Sequence, residues 1–185
     1  MHYLDHKIIE FVTEEHIANN KNNPDRAKRN IDLFFGNLPL SEKHQEKKTL
    51  VSLGREYNLT SESIRQTINK TCLMVKANPD LNNSIKYIID ELNKICPVSI
   101  KFANNYFMEK KILSTPCIEN IIIIAKKANG NSGIRILGSI GAIENKKTEE
   151  FVPLIHSYLM REIVHNGAIS KSQLMERFGD VVYSE

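Results

Sequence analysis

The sequence predicts a mainly α protein, built of tandem small helix-turn-helix and winged-helix units with one short β hairpin. Three observations predict it. Apolar residues recur at helical spacing over most of the 185 residues, as they do when one face of each helix is buried. Polar breaks rich in Asn, Asp, Ser, Thr and Pro separate these stretches and supply cap residues. One segment, Ile134–Ile143, alternates loosely and contains Gly138 and Gly141, which reads as one or two short strands.

Composition bounds the function classes. Hydrophobic residues make up 41% and charged residues 25%, ordinary for a folded globular chain. With seven Phe, six Tyr and no Trp, Ile and Leu must fill the core. The formal net charge of +3 is compatible with a nucleic-acid partner without requiring one. Cys72, Cys96 and Cys117 are odd in number and far apart, which argues against a disulfide framework or a four-cysteine zinc site. They read as reduced, mostly buried thiols of a cytoplasmic protein. The longest apolar run, Ile121–Ala125, is far too short to span a bilayer. The N-terminus lacks the basic start and unbroken apolar centre of a signal peptide. No membrane partner is expected.

Taken in order, Tyr3–Ala18 reads as a helix with Leu4, Ile8, Ile9, Phe11, Val12 and Ile17 apolar. Asn19–Asp25 breaks it, with Asp25 as the expected cap of a second helix, Arg26–Phe35, stopped by Gly36-Asn37. The charged run Glu42–Lys48 reads as a solvated linker. Thr49 caps a short helix with Leu50, Leu53 and Tyr57 inward. Gly54 costs about 1 kcal/mol in a helix interior, which predicts that another helix passes too close for a Cβ. Asn58 stands at a sharp turn that needs the left-handed region. Leu59 plugs the turn and Thr60 caps the next helix, whose buried stripe is Ile64, Ile68 and Cys72.

Ala77–Asn83 reads as a linker and a domain boundary. Ser84–Ile95 is a helix, and Cys96-Pro97 breaks it. Ser99 caps a helix to about Lys111 with Phe102, Ala103, Tyr106 and Phe107 inward. Pro116 suits the first turn of a helix to Ala128, with Ile118, Ile121, Ile122 and Ala125 inward and Glu119, Asn120, Lys126 and Lys127 outward. Two helices followed by the Ile134–Ile143 hairpin give a winged-helix outline. Such a unit either contacts DNA or serves as a protein contact or spacer. Glu149–His165 is a further helix, and Ser170–Phe178 reads as the start of another helix-turn-helix. The expected organisation is an N-terminal helix and linker at 1–25, a helix-turn-helix at 26–77, a winged unit at 84–147 and an incomplete module at 148–185.

The stretch with the most functional content is Thr49–Lys70, TLVSLGREYNLTSESIRQTINK. It resembles region four of bacterial RNA polymerase sigma factors, through Thr49, Leu50, Gly54, Tyr57, Leu59, Thr60, Glu62, Ile64, Arg65 and Gln66. Arg29–Phe35 resembles the helix that precedes that motif, so the likeness covers residues 26–76. The resemblance implies that the second helix enters the major groove of double-stranded DNA. It makes Glu62, Arg65 and Gln66 the groove-facing residues and puts Thr49 and Leu50 against backbone phosphates. Ser61 and Ser63 stand where the family carries arginines, which implies weaker or altered base preference. Independently of the family, exposed Arg and Gln on a helix can pair bidentately with purine edges, and a helix N-terminus suits a phosphate. The candidate DNA-binding set is therefore Thr49, Leu50, Thr60, Ser61, Glu62, Ser63, Arg65, Gln66, Asn69 and Lys70. Nearby lysines, Lys43, Lys47, Lys48 and Lys76 among them, would hold phosphates in a salt-sensitive manner.

The six histidines fall into no metal-binding spacing, and Gly130–Gly133 lacks the Lys-Ser/Thr of a phosphate loop. Glu14-Glu15 and Glu149-Glu150 read as exposed helix charges. Neither enzymatic activity nor a cofactor is expected. The reading is a bacterial or phage transcriptional regulator that binds DNA. The alternatives are a module that binds RNA polymerase or another assembly, and the DNA-targeting part of a larger enzyme.

Overall fold

The computed structural model describes residues 3–41, 46–129, 133–139, 141–149, 151–168 and 170. The protein is mainly helical with a small three-stranded antiparallel sheet. In chain order the elements are α1 (Leu4–Asn19), α2 (Pro24–Asn37), α3 (Leu50–Tyr57), α4 (Ser61–Ala77) and α5 (Pro79–Ile95). Then come β1 (Val98–Ser99), α6 (Ile100–Glu109), α7 (Ile118–Asn129), β2 (Ile134–Leu137), β3 (Ala142–Asn145) and α8 (Phe151–Asn166).

Local chemistry sets the helix starts. The side chains of Asn23, Thr49, Thr60, Asn78 and Ser99 each accept a backbone N–H from the first turn that follows. A cap of this kind is worth about 1 kcal/mol. Pro24 and Pro79 occupy first-turn positions, where a missing N–H costs nothing. The cap of α2 is thus Asn23 and not Asp25, because Pro24 already has a helical φ. The start of α7 is Ile118 and not Pro116. Its N–H donates to Oδ1 of Asn104, a buried side chain on α6 that no local pattern announces.

Residues 78–83 differ from the expected linker. Only Asn78 separates α4 from α5, and it bonds the Asp80 and Leu81 N–H groups. Leu81 and Ile85 then enter the same core as α4. The buried apolar side chains, from Leu4 to Ile143, form one connected cluster. The helix α4 packs on α1, α2, α3, α5 and α7, and α7 in turn packs on α5 and α6. The N-terminal helix belongs to this core as well. Asp5, fully buried, accepts from the Ser114 N–H and from the hydroxyls of Ser114 and Thr115. His16 meets Thr71 of α4 at 2.9 Å.

In the sheet, β3 is central and pairs antiparallel with both neighbours. Ile143 sits between Val98 and Ile136 and is fully buried. The hairpin was expected, but β1 was not, since two residues carry no periodicity. Phe102, expected inward, is 53% exposed, and Ile17, one of the apolar positions of the first helix, is 55% exposed. Asn120, expected outward, is buried and donates to the Pro39 carbonyl at 2.6 Å. Cys72 and Cys117 are buried and Cys96 half-buried, all three as free thiols. Burial pushes the Cys72 and Cys117 thiols up to about 12. Residues 171–178 of the expected helix at 170–178, and Lys43 in the linker, lie outside the described residues. Among the described residues, no helix is long and apolar enough to cross a membrane.

Candidate nucleic-acid interface

The candidate site is the pair α3–α4 and the turn between them. Asn58 adopts φ +53°, the left-handed conformation expected of it, and its N–H closes onto the Gly54 carbonyl. The Leu59 N–H bonds the same carbonyl at 3.0 Å. Gly54 is therefore the pivot of the turn. A Cβ there would lie 2.7 Å from the Leu59 carbonyl oxygen, and only 3.8 Å from Ile64 on α4. The close neighbour is the backbone of the turn itself, so the expectation of a passing helix is corrected. Leu53, Ile64, Ile68 and Cys72 are buried beneath the motif, with Leu50, Tyr57 and Leu59 packed at its edge.

The two threonine caps are exposed and occupied internally. Thr49 Oγ1 accepts from the Ser52 N–H and Thr60 Oγ1 from the Ser63 N–H, each at 3.1 Å. Leu50 is half-buried against the core, so it can present its backbone but little of its side chain to a partner. On α4, Glu62, Ser63, Arg65, Gln66 and Lys70 are exposed, and Ser61 and Asn69 half-buried.

Glu62 organises this face. Its carboxylate accepts from Arg65 Nε at 2.8 Å, from Arg65 Nη2 at 2.7 Å and from Gln66 Nε2 at 2.9 Å. These bonds hold the Glu62 carboxyl down to about 2 and raise Arg65 above its ordinary value. A guanidinium gripped along its Nε–Nη2 side keeps its outer Nη1 edge for another acceptor. About two turns along the helix from Glu62, Asn69 accepts from Lys127 of α7 at 2.9 Å. Lys76 donates to the Ala128 carbonyl at the end of α7.

The charge pattern is mixed. Lys48 is paired with Glu56 at 2.7 Å, and its backbone is pinned to α2 through Gly36 and Asn37. Exposed side-chain pairs of this kind contribute little stability. Lys47, Arg55 and Lys70 are exposed and carry no side-chain bond or ion pair among the described residues. The site thus brings Glu62, Arg65 and Gln66 together, leaves Lys70 beside them, and ties Asn69 and Lys76 to α7. The contribution of Lys127 was missed in the sequence, because nothing local indicates that α7 lies along α4. Among the described residues, no group of three or more His, Cys, Asp or Glu is placed to hold a metal ion.

Comparison of the chain with protein-family models, with curated proteins and with solved structures finds no match.

Proposed function

We propose that the chain is a sequence-specific DNA-binding transcriptional regulator, similar to sigma factor region four, with α4 as its recognition helix. The reading rests on one observation above the rest: a capped helix, a tight left-handed turn and a second capped helix that exposes a pre-oriented Glu62–Arg65–Gln66 cluster. Arg65 and Gln66 read purine edges in the major groove. Glu62 orients Arg65. Lys47, Arg55 and Lys70 supply phosphate contacts, and the exposed N-terminus of α3 at Thr49 adds its dipole to them.

The succession β1-α6-α7-β2-β3, with β3 between β1 and β2, supports the winged-helix reading of this part of the chain. Its second helix, α7, spends its apolar faces on the core: Ile118, Ile121, Ile122, Ile124 and Ala125 are buried. The winged unit in this reading braces α4 and does not present a second groove-reading helix. A cytoplasmic location follows from the same reading.

A second reading has its own observation. Leu154, Met160, Ile163 and Val164 of α8 are 47% to 75% exposed, and Val51 and Leu73 are half-exposed on α3 and α4. Apolar side chains gathered on exposed helices favour a protein partner, RNA polymerase or another assembly.

The deciding experiment is a salt-titrated binding assay on fragments selected by genome-wide footprinting. Arg65→Ala with Gln66→Ala should weaken specific binding by about 1–3 kcal/mol per lost bidentate contact and leave the thermal melt unchanged. Unchanged DNA affinity in that double variant refutes the reading. Co-purification with polymerase in the absence of DNA favours the second.

A further inference from the structure

A cavity of about 420 Å³ lies away from α4, where the start of α1, the first half of α5 and the segment after α6 converge. Lys7, Lys110 and Lys111 line it together with Asn83, Ser84 and Tyr87, and Leu4 and Ile112 form an apolar part of its wall. None of the described residues that line it carries a carboxylate.

Three cations converging on one hollow repel one another, and a chain under no other demand places such lysines apart. Lysines elsewhere divide: Lys47 and Lys70 carry no side-chain bond or ion pair among the described residues, while others are matched. Lys48 pairs with Glu56, Lys94 with Glu91, Lys76 with a carbonyl and Lys127 with Asn69. In the cavity only Lys110 is partly matched, by Glu91 at 3.1 Å and by the Tyr106 hydroxyl at 2.6 Å. Lys7 and Lys111 have no side-chain bond or ion pair among the described residues. Of the acids closest to these lysines in sequence, Asp5 is turned into the core toward Ser114 and Thr115, and Glu109, next to Lys110, is exposed outside the lining.

The backbone holds this arrangement in place. Lys111 adopts φ +56°, a left-handed position that glycine or asparagine fills at less cost. The turn is locked by Lys111 N–H to Met108, Ile112 N–H to Phe107 and Leu4 N–H to the Ile112 carbonyl. That last bond fastens the lysine pair to the first turn of α1. No side chain caps α1 at Tyr3, and the carboxylate of Asp5 in its first turn offsets the positive end of that helix. Tyr87, 47% exposed, offers a ring face at its edge.

We propose that this cavity binds a small phosphate monoester carrying a planar ring, of the nucleoside-monophosphate class. The phosphate lies among Lys7, Lys110 and Lys111, and the ring lies on Tyr87. The volume falls in the range of small-molecule sites, and lysines act as mobile point donors to phosphate oxygens. The chemistry it recognises is an anionic phosphate, a dianion in a free monoester and a monoanionic diester in a DNA backbone, and the test separates the two sources.

The probes are adenosine 5′-monophosphate and adenosine, titrated calorimetrically into the full chain. The monophosphate should bind with salt-sensitive affinity, and adenosine should bind far more weakly. The paired substitution Lys7→Gln and Lys111→Gly should weaken the monophosphate about a hundredfold, roughly tenfold for each charge-assisted bond lost. Lys111→Gly relieves the positive φ, so its melt should be equal or higher, which separates loss of binding from loss of fold. Binding of the monophosphate to DNA-saturated protein supports a free ligand. Equal binding of adenosine and its monophosphate, an unchanged affinity in the paired variant, or displacement of the monophosphate by any duplex each overturns the proposal. In the last case the cavity is a backbone contact.

Discussion

Gly54→Ala gives a sharp test of how the turn between α3 and α4 is built. On helix propensity alone the substitution should stabilise by about 1 kcal/mol. The tertiary geometry opposes it. The new Cβ would stand 2.7 Å from the Leu59 carbonyl oxygen, well inside normal contact, and that oxygen is backbone. Leu59 cannot rotate away. Its N–H is bonded to the Gly54 carbonyl, and Thr60 after it caps α4. Overpacking of this kind costs roughly 1–3 kcal/mol and occasionally more. The sum is a net loss of about 1–2 kcal/mol, taking the upper part of that cost. For a chain of 185 residues each kcal/mol moves the midpoint by about 2–4 °C, so Tm should fall by about 2–8 °C. Gly36→Ala is the internal control. There the Cβ meets Leu53 Cδ2 at 3.2 Å, the end of a side chain that can shift by tenths of an ångström, and the change should be smaller. The assay is thermal and urea unfolding of the three proteins side by side. A Gly54→Ala protein as stable as the parent or more so would refute the reasoning, because the turn would then not be held as described.

Three further predictions follow from the same geometry. Glu62→Ala should release Arg65 and Gln66, raising non-specific DNA affinity through the lost negative charge while reducing the ratio of specific to non-specific binding by roughly tenfold; competition against random duplex reads this directly. His16 is buried and its pKa is lowered from 6.5, chiefly by desolvation and against the nearby Glu15. The unfolded chain therefore takes up its proton first, so the stability that His16 provides is complete above about pH 6.5 and declines as pH falls through that value toward the folded one. Urea midpoints at about pH 7.5 and about pH 5 should differ less in His16→Gln, which keeps a neutral donor for Thr71, than in the parent. Ile68→Ala, at the centre of α4 and 1% exposed, should cost about 2–5 kcal/mol by denaturant unfolding.

Much of the helical plan was legible because its signals are local. Thr49, Thr60 and Ser99 cap the helices that the sequence assigns to them, Asn58 takes the left-handed turn, and Ile64, Ile68 and Cys72 are buried at four-residue spacing. Each depends on residues within one helical turn. The reading failed where the deciding partner is remote. Residues 78–83 looked like a linker because Asn and Pro break helices, yet the same residues also start them, and here Asn78 and Pro79 do so at once. Asn120 looked exposed because asparagine usually is, but a carbonyl 81 positions away receives it. Hydrophobicity alone predicts Phe102 inward with Ala103 and Phe107, but α6 turns only the latter two to the core and leaves Phe102 exposed.

The sequence by itself determined most of the helices, the caps at Thr49, Thr60 and Ser99, and the exposure of Ser63, Arg65 and Gln66 on α4, because backbone capping and apolar periodicity act over a few residues. Only the tertiary structure decided how those helices share one core: α7 laid along α4, Lys127 on Asn69, Lys76 on the end of α7, and Asp5 closing on Ser114. These contacts join parts of the chain far apart in sequence, and their free energy comes from complementary surfaces that no single segment contains. The same is true of the lysine cavity, whose members are scattered from residue 7 to residue 111.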